Sequence, residues 1–228
     1  GPESGREDCD RKVLYTPDGQ YLVTGSDLGS LCLWSTDNFR RIQRIDAHNE
    51  RINELTTSAD GRYIATASKD KSVKLWDTSN WKEVHSFPGH SHAWYGMALS
   101  PAGDRIAIAD KDIIVYDTST GRESLRLSGH RNNVRDIQFS HDGQRLVSAG
   151  YDRTSRLWDL QSARELFRFE LGYSAAISPD GEIVVTGGKN GKVAFWDAIS
   201  GEKMSMGSPH RGDVTSIRFN RDGSQLAT

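Results

Sequence analysis

The sequence has little of several features that would define its class at once. Only two of its 228 residues are cysteine, which predicts no disulfide framework and fits a reducing compartment. No apolar run approaches the ~18 residues of a membrane-spanning helix, and no signal peptide is visible. With 29 basic and 31 acidic residues, the net charge of −2 favours neither nucleic acid nor a membrane surface. These absences predict an intracellular, cytoplasmic protein with no nucleic-acid or membrane partner.

The sequence also lacks the common motifs of catalysis. It has no Gly-rich phosphate loop, His-Glu-x-x-His, Cys-x-x-Cys or Gly-x-Ser-x-Gly. Four of its seven histidines, at 48, 90, 130 and 210, recur at regular intervals. Histidines spread along a repeat do not converge on one point, so we assign them structural roles. We therefore predict a protein without catalytic residues, a metal site or a cofactor.

What the sequence does contain is a repeat. Five aromatic residues follow one another at intervals of 42, 40, 42 and 38 residues: Trp34, Trp76, Tyr116, Trp158 and Trp196. An Asp follows each of the last four. The pairs Ala47-His48, Gly89-His90, Gly129-His130 and Pro209-His210 keep the same register. This period predicts an array of one structural unit.

Within each unit the residue pattern predicts strands. Apolar and polar residues alternate over short runs, as in 72–76 and 192–196. Turn dipeptides such as Asp60-Gly61 and Asp142-Gly143 separate the runs. One period of ~42 residues accommodates about four strands, and a sheet of that size must stack on its neighbours to bury its faces. We therefore predict an all-β fold of four-stranded antiparallel sheets.

The spacing of Gly-His and Trp-Asp, about 28 residues apart, resembles that of the WD-repeat β-propeller family over nearly the whole chain. The resemblance implies blades that each carry a buried hydrogen-bonded set of His, Ser or Thr, Asp and Trp. Two blades match completely and at identical spacing. Their residues are His48, Thr66, Asp70 and Trp76 in one, and His130, Ser148, Asp152 and Trp158 in the other.

The other units depart from this pattern. Leu28 takes the Asp position of the first unit, so we expect its polar set to be unformed, and Asn190 takes that position in the fifth. At the C-terminal end, residues 214–219 are predicted to be an innermost strand. The register gives approximate blades at 7–48, 49–90, 91–130, 131–172, 173–210 and, in part, 211–228. We expect one partial propeller domain, an incomplete ring of about five and a half blades out of seven, in which the open edge makes self-association possible.

The resemblance implies that partners bind the narrow top face, at three positions per blade. In this sequence those positions are richer in Arg, Lys and Tyr than in acids. Because Arg and Tyr anchor interfaces and Arg pairs with carboxylate or phosphate, we predict a partner protein or peptide with an acidic or phosphorylated segment. The assigned residues are Arg11, Arg51, Asn53, Lys69, Tyr95, Asn133, Arg135, Tyr151, Tyr173 and Lys189.

Two functions fit these expectations. We favour a non-catalytic scaffold for protein–protein interactions. The alternative is a regulatory or sensor domain of a larger multidomain enzyme, such as a kinase or a protease. For the top face itself, the alternative is a solvated rim that binds no partner.

Overall fold

The structure, a computed structural model, describes residues 10–88 and 96–228, without the side chains of residues 10, 11 and 88. Contacts divide the chain into two compact units, Gly1–Trp94 and Tyr95–Thr228. We call them unit 1 and unit 2, as distinct from the repeated sequence units described above, and describe each by itself.

The described part of unit 1 forms two four-stranded antiparallel sheets, in the strand orders β1-β2-β3-β4 and β5-β6-β7-β8. Each strand pairs with the one that follows it in the chain. The strands are β1 (Asp10–Tyr15), β2 (Tyr21–Ser26), β3 (Ser30–Ser35), β4 (Arg41–Asp46), β5 (Ile52–Thr57), β6 (Tyr63–Ser68), β7 (Ser72–Asp77) and β8 (Lys82–Pro88).

The described part of unit 2 forms three more four-stranded sheets, β9 to β12, β13 to β16 and β17 to β20, and a two-stranded sheet of β21 and β22. The first three sheets contain β9 (Gly96–Leu99), β10 (Arg105–Ala109), β11 (Ile113–Asp117), β12 (Glu123–Leu127), β13 (Val134–Phe139), β14 (Arg145–Gly150), β15 (Thr154–Asp159), β16 (Arg164–Glu170), β17 (Ser174–Ile177), β18 (Ile183–Gly187), β19 (Val193–Asp197) and β20 (Lys203–Gly207). A short 3-10 turn, Lys189–Gly191, precedes β19, and the last sheet consists of β21 (Arg218–Phe219) and β22 (Leu226–Ala227).

These sheets confirm the predicted all-β propeller fold class of four-stranded antiparallel blades. Burial is greatest in the second strands and least in the outer, fourth strands: every residue of β6 is buried, whereas nearly every residue of β4 is exposed. An outer strand with one solvated edge needs fewer apolar residues, which explains why the alternating pattern is weakest there. The division of the sequence into one domain with the blade limits given above stays a prediction.

Three of the repeated tryptophans, Trp76, Trp158 and Trp196, pack against the sheet that precedes their own. Trp158 belongs to a core cluster with Ala109, Val115 and Leu127 of the preceding sheet, and Trp196 packs with Phe169, the ring centroids being 5.0 Å apart. Large aromatic residues bury much apolar area at such contacts. The repeat period therefore places one large aromatic side chain in each of these contacts.

Unit 2 also links successive sheets at their turns. The Arg105 guanidinium donates to the Gly143 carbonyl oxygen at 2.7 Å, and Arg145 makes the same contact with Gly181, also at 2.7 Å. These bonds provide donors for turn carbonyl oxygens that would bond only to water in an isolated sheet.

The last predicted strand is shorter than expected. The sequence predicts an inner strand over residues 214–219, but only Arg218–Phe219 pairs, with Leu226–Ala227. Backbone N–H groups earlier in this segment bond elsewhere: the Val214 N–H donates to the Gly188 carbonyl and the Ile217 N–H to the Ser174 hydroxyl, both at 2.9 Å.

Candidate functional site

In the second sheet of unit 1, the structure brings the four predicted polar residues into one hydrogen-bonded chain. The Trp76 indole N–H donates to Thr66 Oγ1 at 3.0 Å, and Thr66 Oγ1 lies 2.7 Å from His48 Nε2. On the other side of the ring, His48 Nδ1 lies 3.0 Å from Asp70 Oδ2. The ionised Asp70 carboxylate can only accept, so Nδ1 carries the proton of the neutral His48 ring, and the Thr66 hydroxyl donates to Nε2.

The sheet of β13 to β16 repeats this arrangement. The Trp158 indole donates to Ser148 Oγ at 2.9 Å, and His130 contacts Ser148 and Asp152 at 2.8 and 2.9 Å. All four residues are inaccessible or nearly so. A bound substrate could not reach this histidine, so the set satisfies buried polar groups instead of performing acid–base chemistry.

The pKa shifts follow from the same geometry. Burial lowers the pKa of His48 and His130 below the ordinary value of 6.5, and the adjacent Asp carboxylates only partly oppose it. Burial alone would raise the pKa of Asp152. Hydrogen bonds from the Arg131 backbone N–H and from Thr154 outweigh burial and lower that pKa to about 2. Each set therefore pairs a neutral imidazole with an ionised carboxylate at neutral pH.

The incomplete sets keep part of the chain of bonds. In the first sheet, whose set was expected to be unformed, the Trp34 indole still donates to Thr24 Oγ1 at 2.9 Å. In the fifth sheet Trp196 donates to Thr186 at 2.9 Å. The expectation was thus wrong for the Trp–Thr pair, because that bond needs neither the His nor the Asp.

The sequence reasoning missed an ion pair beside each complete set. Arg156 is 2% exposed and donates to Glu165 at 2.5 Å, with its guanidinium 5.8 Å from the Trp158 ring centroid. Lys74 and Glu83 form the corresponding pair at 3.0 Å. The signal was present in the sequence. In both repeats a cation lies two residues before the Trp, and a Glu lies seven residues after it.

Two of the predicted partner-binding residues lie at β-bulges on the first strand of their sheets. The register shifts between Ile52 and Glu54 and between Val134 and Asp136, which makes Asn53 and Arg135 the extra residues. A bulge re-aims the side chain that it carries. The fold therefore gives these positions a local backbone that the sequence pattern did not predict.

Equivalent backbone bonds connect predicted residues within each unit. The Lys69 N–H donates to the Arg51 carbonyl oxygen in unit 1, and the Tyr151 N–H donates to the Asn133 carbonyl oxygen in unit 2, both at 2.9 Å. In unit 1 the charge of Lys69 is neutralised by Glu50, at 2.8 Å. Tyr95 and the side chain of Arg11 lie outside the described part of the chain.

Unit 2 brings three of the predicted residues into contact. The Arg135 guanidinium lies 5.8 Å from the Tyr173 ring centroid, and the Tyr151 and Tyr173 rings meet edge to face at 6.3 Å. Tyr151 is 42% exposed, and the other two are half-buried. We call Arg135, Tyr151 and Tyr173 the aromatic–cationic cluster.

A cavity of about 370 Å³ adjoins this cluster, since Tyr173 belongs to its wall. Lys189, the last predicted residue, lines the same cavity. We call this cavity the basic pocket. It is lined by Arg153, Leu171, Gly172, Tyr173, Gly188, Lys189, Asn190 and Lys192. The sequence analysis did not single out Arg153 or Lys192, because they lie in turns whose proximity depends on the packing of two sheets.

Residues 10–88 and 96–228 contain no group of three or more His, Cys, Asp or Glu side chains placed to hold a metal ion. In the same part of the chain, no helix has the length and apolar character needed to cross a membrane.

Comparison with known families gives one match, to the family described as WD domain, G-beta repeat. Residues 8–35, 39–77, 81–117, 121–159 and 173–197 match it, which is more than half of the chain. Segments 39–77, 81–117 and 121–159 each contain the fourth strand of one four-stranded sheet and the first three strands of the next.

The chain is also similar to curated proteins of different processes. It is 34% identical over 120 residues to Autophagy-related protein 16 of Arabidopsis thaliana, covering 51% of this chain and 24% of the relative. It is 30% identical over 200 residues to Periodic tryptophan protein 2 of the same plant, covering 84% and 22%. With Eukaryotic translation initiation factor 3 subunit I of Culex quinquefasciatus the identity is 32% over 133 residues, covering 51% and 40%. The chain therefore spans less than half the length of each relative.

Proposed function

Because the chain belongs to the WD-repeat family, whose members are mostly scaffolds for protein interactions, we propose that it is a non-catalytic scaffold that binds an acidic or phosphorylated segment of a partner protein. The partner segment contacts the loop ends of the sheets, the top face that the family resemblance indicates. We place the protein in the cytoplasm, and its partner is a protein or peptide.

The observation that carries this proposal is the aromatic–cationic cluster of unit 2. Its two tyrosines offer rigid rings at low conformational cost, and Arg135 offers a planar group that pairs with carboxylate or phosphate through two parallel bonds. Arg135 forms no ion pair with a described residue, and its guanidinium lies against an aromatic face. An acidic side chain of a partner therefore meets a cation that is already oriented by Tyr173.

The distribution of charge supports unit 2 as the main contact. In unit 1 the predicted cation Lys69 is paired with Glu50, so its field is largely cancelled. In unit 2, by contrast, neither Arg135 nor Lys189 forms an ion pair with a described residue. Long-range attraction of an acidic segment then comes mostly from unit 2.

A peptide selection tests the proposal. The 228-residue chain is used to enrich binders from a displayed library of random and phosphorylated peptides, in parallel with Arg135→Glu, Arg51→Glu and Tyr173→Ala. The expected result is enrichment of acidic sequences by the wild type, and its loss in Arg135→Glu. Arg164→Glu is the matched control, because Arg164 is an exposed cation of unit 2 on the outer strand β16. Enrichment that is equal in Arg135→Glu and wild type contradicts the proposal.

The lengths of the relatives favour one alternative. Since each relative extends well beyond the matched segment, the same repeats serve as part of longer proteins. Under this alternative the chain is a regulatory or sensor domain of a multidomain enzyme such as a kinase or a protease. The complete open reading frame around this chain discriminates the two: a catalytic domain in it favours the alternative, and repeats without one favour the scaffold.

A further inference from the structure

Three cations line the basic pocket of unit 2 without a partner of opposite charge. Arg153, Lys189 and Lys192 are exposed, and none of them forms an ion pair with a described residue. Some exposed cations of the same unit are paired instead. For example, Arg126 lies 2.8 Å from Glu123, and Arg168 lies 3.1 Å from Glu165.

The like charges around this cavity repel each other, because no ion pair neutralises them. An anion bound in the cavity removes this unfavourable electrostatic energy. The cavity of about 370 Å³ is in the size range of small ligand sites. Its wall also contains Tyr173, a half-buried side chain with a hydroxyl that can donate a hydrogen bond. The site therefore combines three positive charges with further hydrogen-bonding capacity.

The number of cations distinguishes between two kinds of anion. A carboxylate carries one charge and two acceptor oxygens, which Arg135 alone can satisfy in the adjoining cluster. A phosphate monoester carries a charge of about −1.5 to −2 at pH 7 and has three strong acceptor oxygens. Three unpaired cations around one cavity match the second group better than the first.

We propose that the basic pocket binds the phosphate group of a phosphorylated side chain in the partner segment, with Arg153, Lys189 and Lys192 as its cationic ligands. The inference rests on the proposed function, because the phosphorylated segment is the one that contacts the aromatic–cationic cluster. Tyr173 connects the two, as it lies in the wall of the pocket and under the Arg135 guanidinium. Phosphorylation of the partner then strengthens its binding to this chain.

One acidic group lies close to the pocket and sets a further expectation. Asp213 Oδ1 accepts a hydrogen bond from the Asn190 backbone N–H at 3.1 Å. Because Asn190 lines the pocket, the Asp213 charge opposes a bound phosphate. The variant Asp213→Asn keeps an acceptor oxygen and removes the charge, so it is expected to bind phosphate more tightly than the wild type.

The test uses a short peptide with a central phosphoserine, the same peptide with Ser or Glu at that position, and inorganic phosphate alone. Binding to the 228-residue chain is followed by NMR shifts of backbone amides and by calorimetry. The expected result is saturable binding of the phosphoserine peptide with shifts at Gly172, Gly188 and Asn190. We expect about tenfold weaker binding in Lys189→Gln and in Lys192→Gln, from the loss of one charge-assisted hydrogen bond, and no loss in Arg164→Gln.

Three results would overturn the inference. They are equal affinity for the Glu and phosphoserine peptides, equal losses in Lys192→Gln and Arg164→Gln, and shifts remote from the pocket. Unchanged melting temperatures of the exposed Lys and Arg variants exclude misfolding as the cause of lost binding. If the peptides selected by the wild type depend on Arg135 but not on Lys189 or Lys192, the inference fails and the proposed function stands. If no acidic peptide depends on Arg135, the proposed function itself fails.

Discussion

The Arg218 guanidinium forms two hydrogen bonds with the Asp136 carboxylate, at 3.1 and 3.0 Å, although 82 residues separate them in the chain. Asp136 lies on β13 and Arg218 on β21, and Ser174 between them, at the start of β17, donates its hydroxyl to the same carboxylate at 2.6 Å. One carboxylate thus joins the first strands of three successive sheets of unit 2.

Replacing this carboxylate should loosen the last sheet. In Asp136→Ala, Arg218 and Ser174 both lose their acceptor, and the Asp136 side chain is only 13% exposed. We expect a loss of about 1 to 3 kcal/mol in the free energy of unfolding, reduced from the value for a fully buried pair because Arg218 is half-exposed. Urea denaturation measures the loss, and faster hydrogen exchange at the Ile217 amide locates it.

Glu54 provides the matched control. It occupies the corresponding position on β5 and binds Lys12 at 2.8 Å, but both of these side chains are more than a third exposed. We expect Glu54→Ala to cost under about 1 kcal/mol, as for ordinary surface ion pairs. If the two variants lose equal stability, Asp136 does not join the sheets in the way described.

A second prediction concerns the buried polar chain around Ser148. In Ser148→Ala the Trp158 indole N–H and His130 Nε2 both lose their hydrogen-bond partner in a site that excludes water. We expect a loss of roughly 2 to 4 kcal/mol in the free energy of unfolding. Thr186→Val removes the hydrogen-bond partner of the Trp196 indole only, so the free energy of unfolding should fall by less. Thermal melting of the two variants side by side gives the ranking, and the reverse order contradicts the assignment.

Acid should destabilise the protein in two steps. Burial lowers the folded-state pKa of His48 and His130 below 6.5, so the unfolded chain binds protons more readily, and stability falls as the pH drops below about 6.5. Asp152, with a folded-state pKa of about 2 against an ordinary 3.8, adds a second loss as the pH falls from about 4 towards 2. Melting temperatures measured from pH 8 to 3 test this. A melting temperature that is constant or rises between pH 7 and 5 contradicts the first step.

The fold could be predicted from the sequence because its signals are local and repeated. The Trp at a fixed interval, the Asp-Gly turns and the alternation in 72–76 each specify one piece of a sheet, and every repeat states them again. The prediction was wrong in length at 214–219, where only Arg218–Phe219 forms strand pairs, while the Val214 and Ile217 N–H groups donate to Gly188 and Ser174. Strand pairing depends on two segments, whereas the alternating pattern describes each segment alone and does not indicate how much of it is paired.

The site was less predictable, because its charges interact across loops. The family pattern led to Arg135, Tyr151 and Tyr173, and these residues do meet. It also led to Lys69, whose neutralisation by Glu50 depends on side-chain conformation. The pattern did not include Arg153 and Lys192, which reach the same cavity as Lys189 only once two turns are packed together.

The most direct test of the central claim is the affinity of a selected acidic peptide for the wild type, for Arg135→Glu and for Arg164→Glu, measured by calorimetry at low and high salt. If Arg135 anchors an acidic partner segment, binding weakens at least about tenfold in Arg135→Glu, is nearly unchanged in Arg164→Glu, and falls with salt in the wild type. An affinity that Arg135→Glu leaves unchanged would contradict the account.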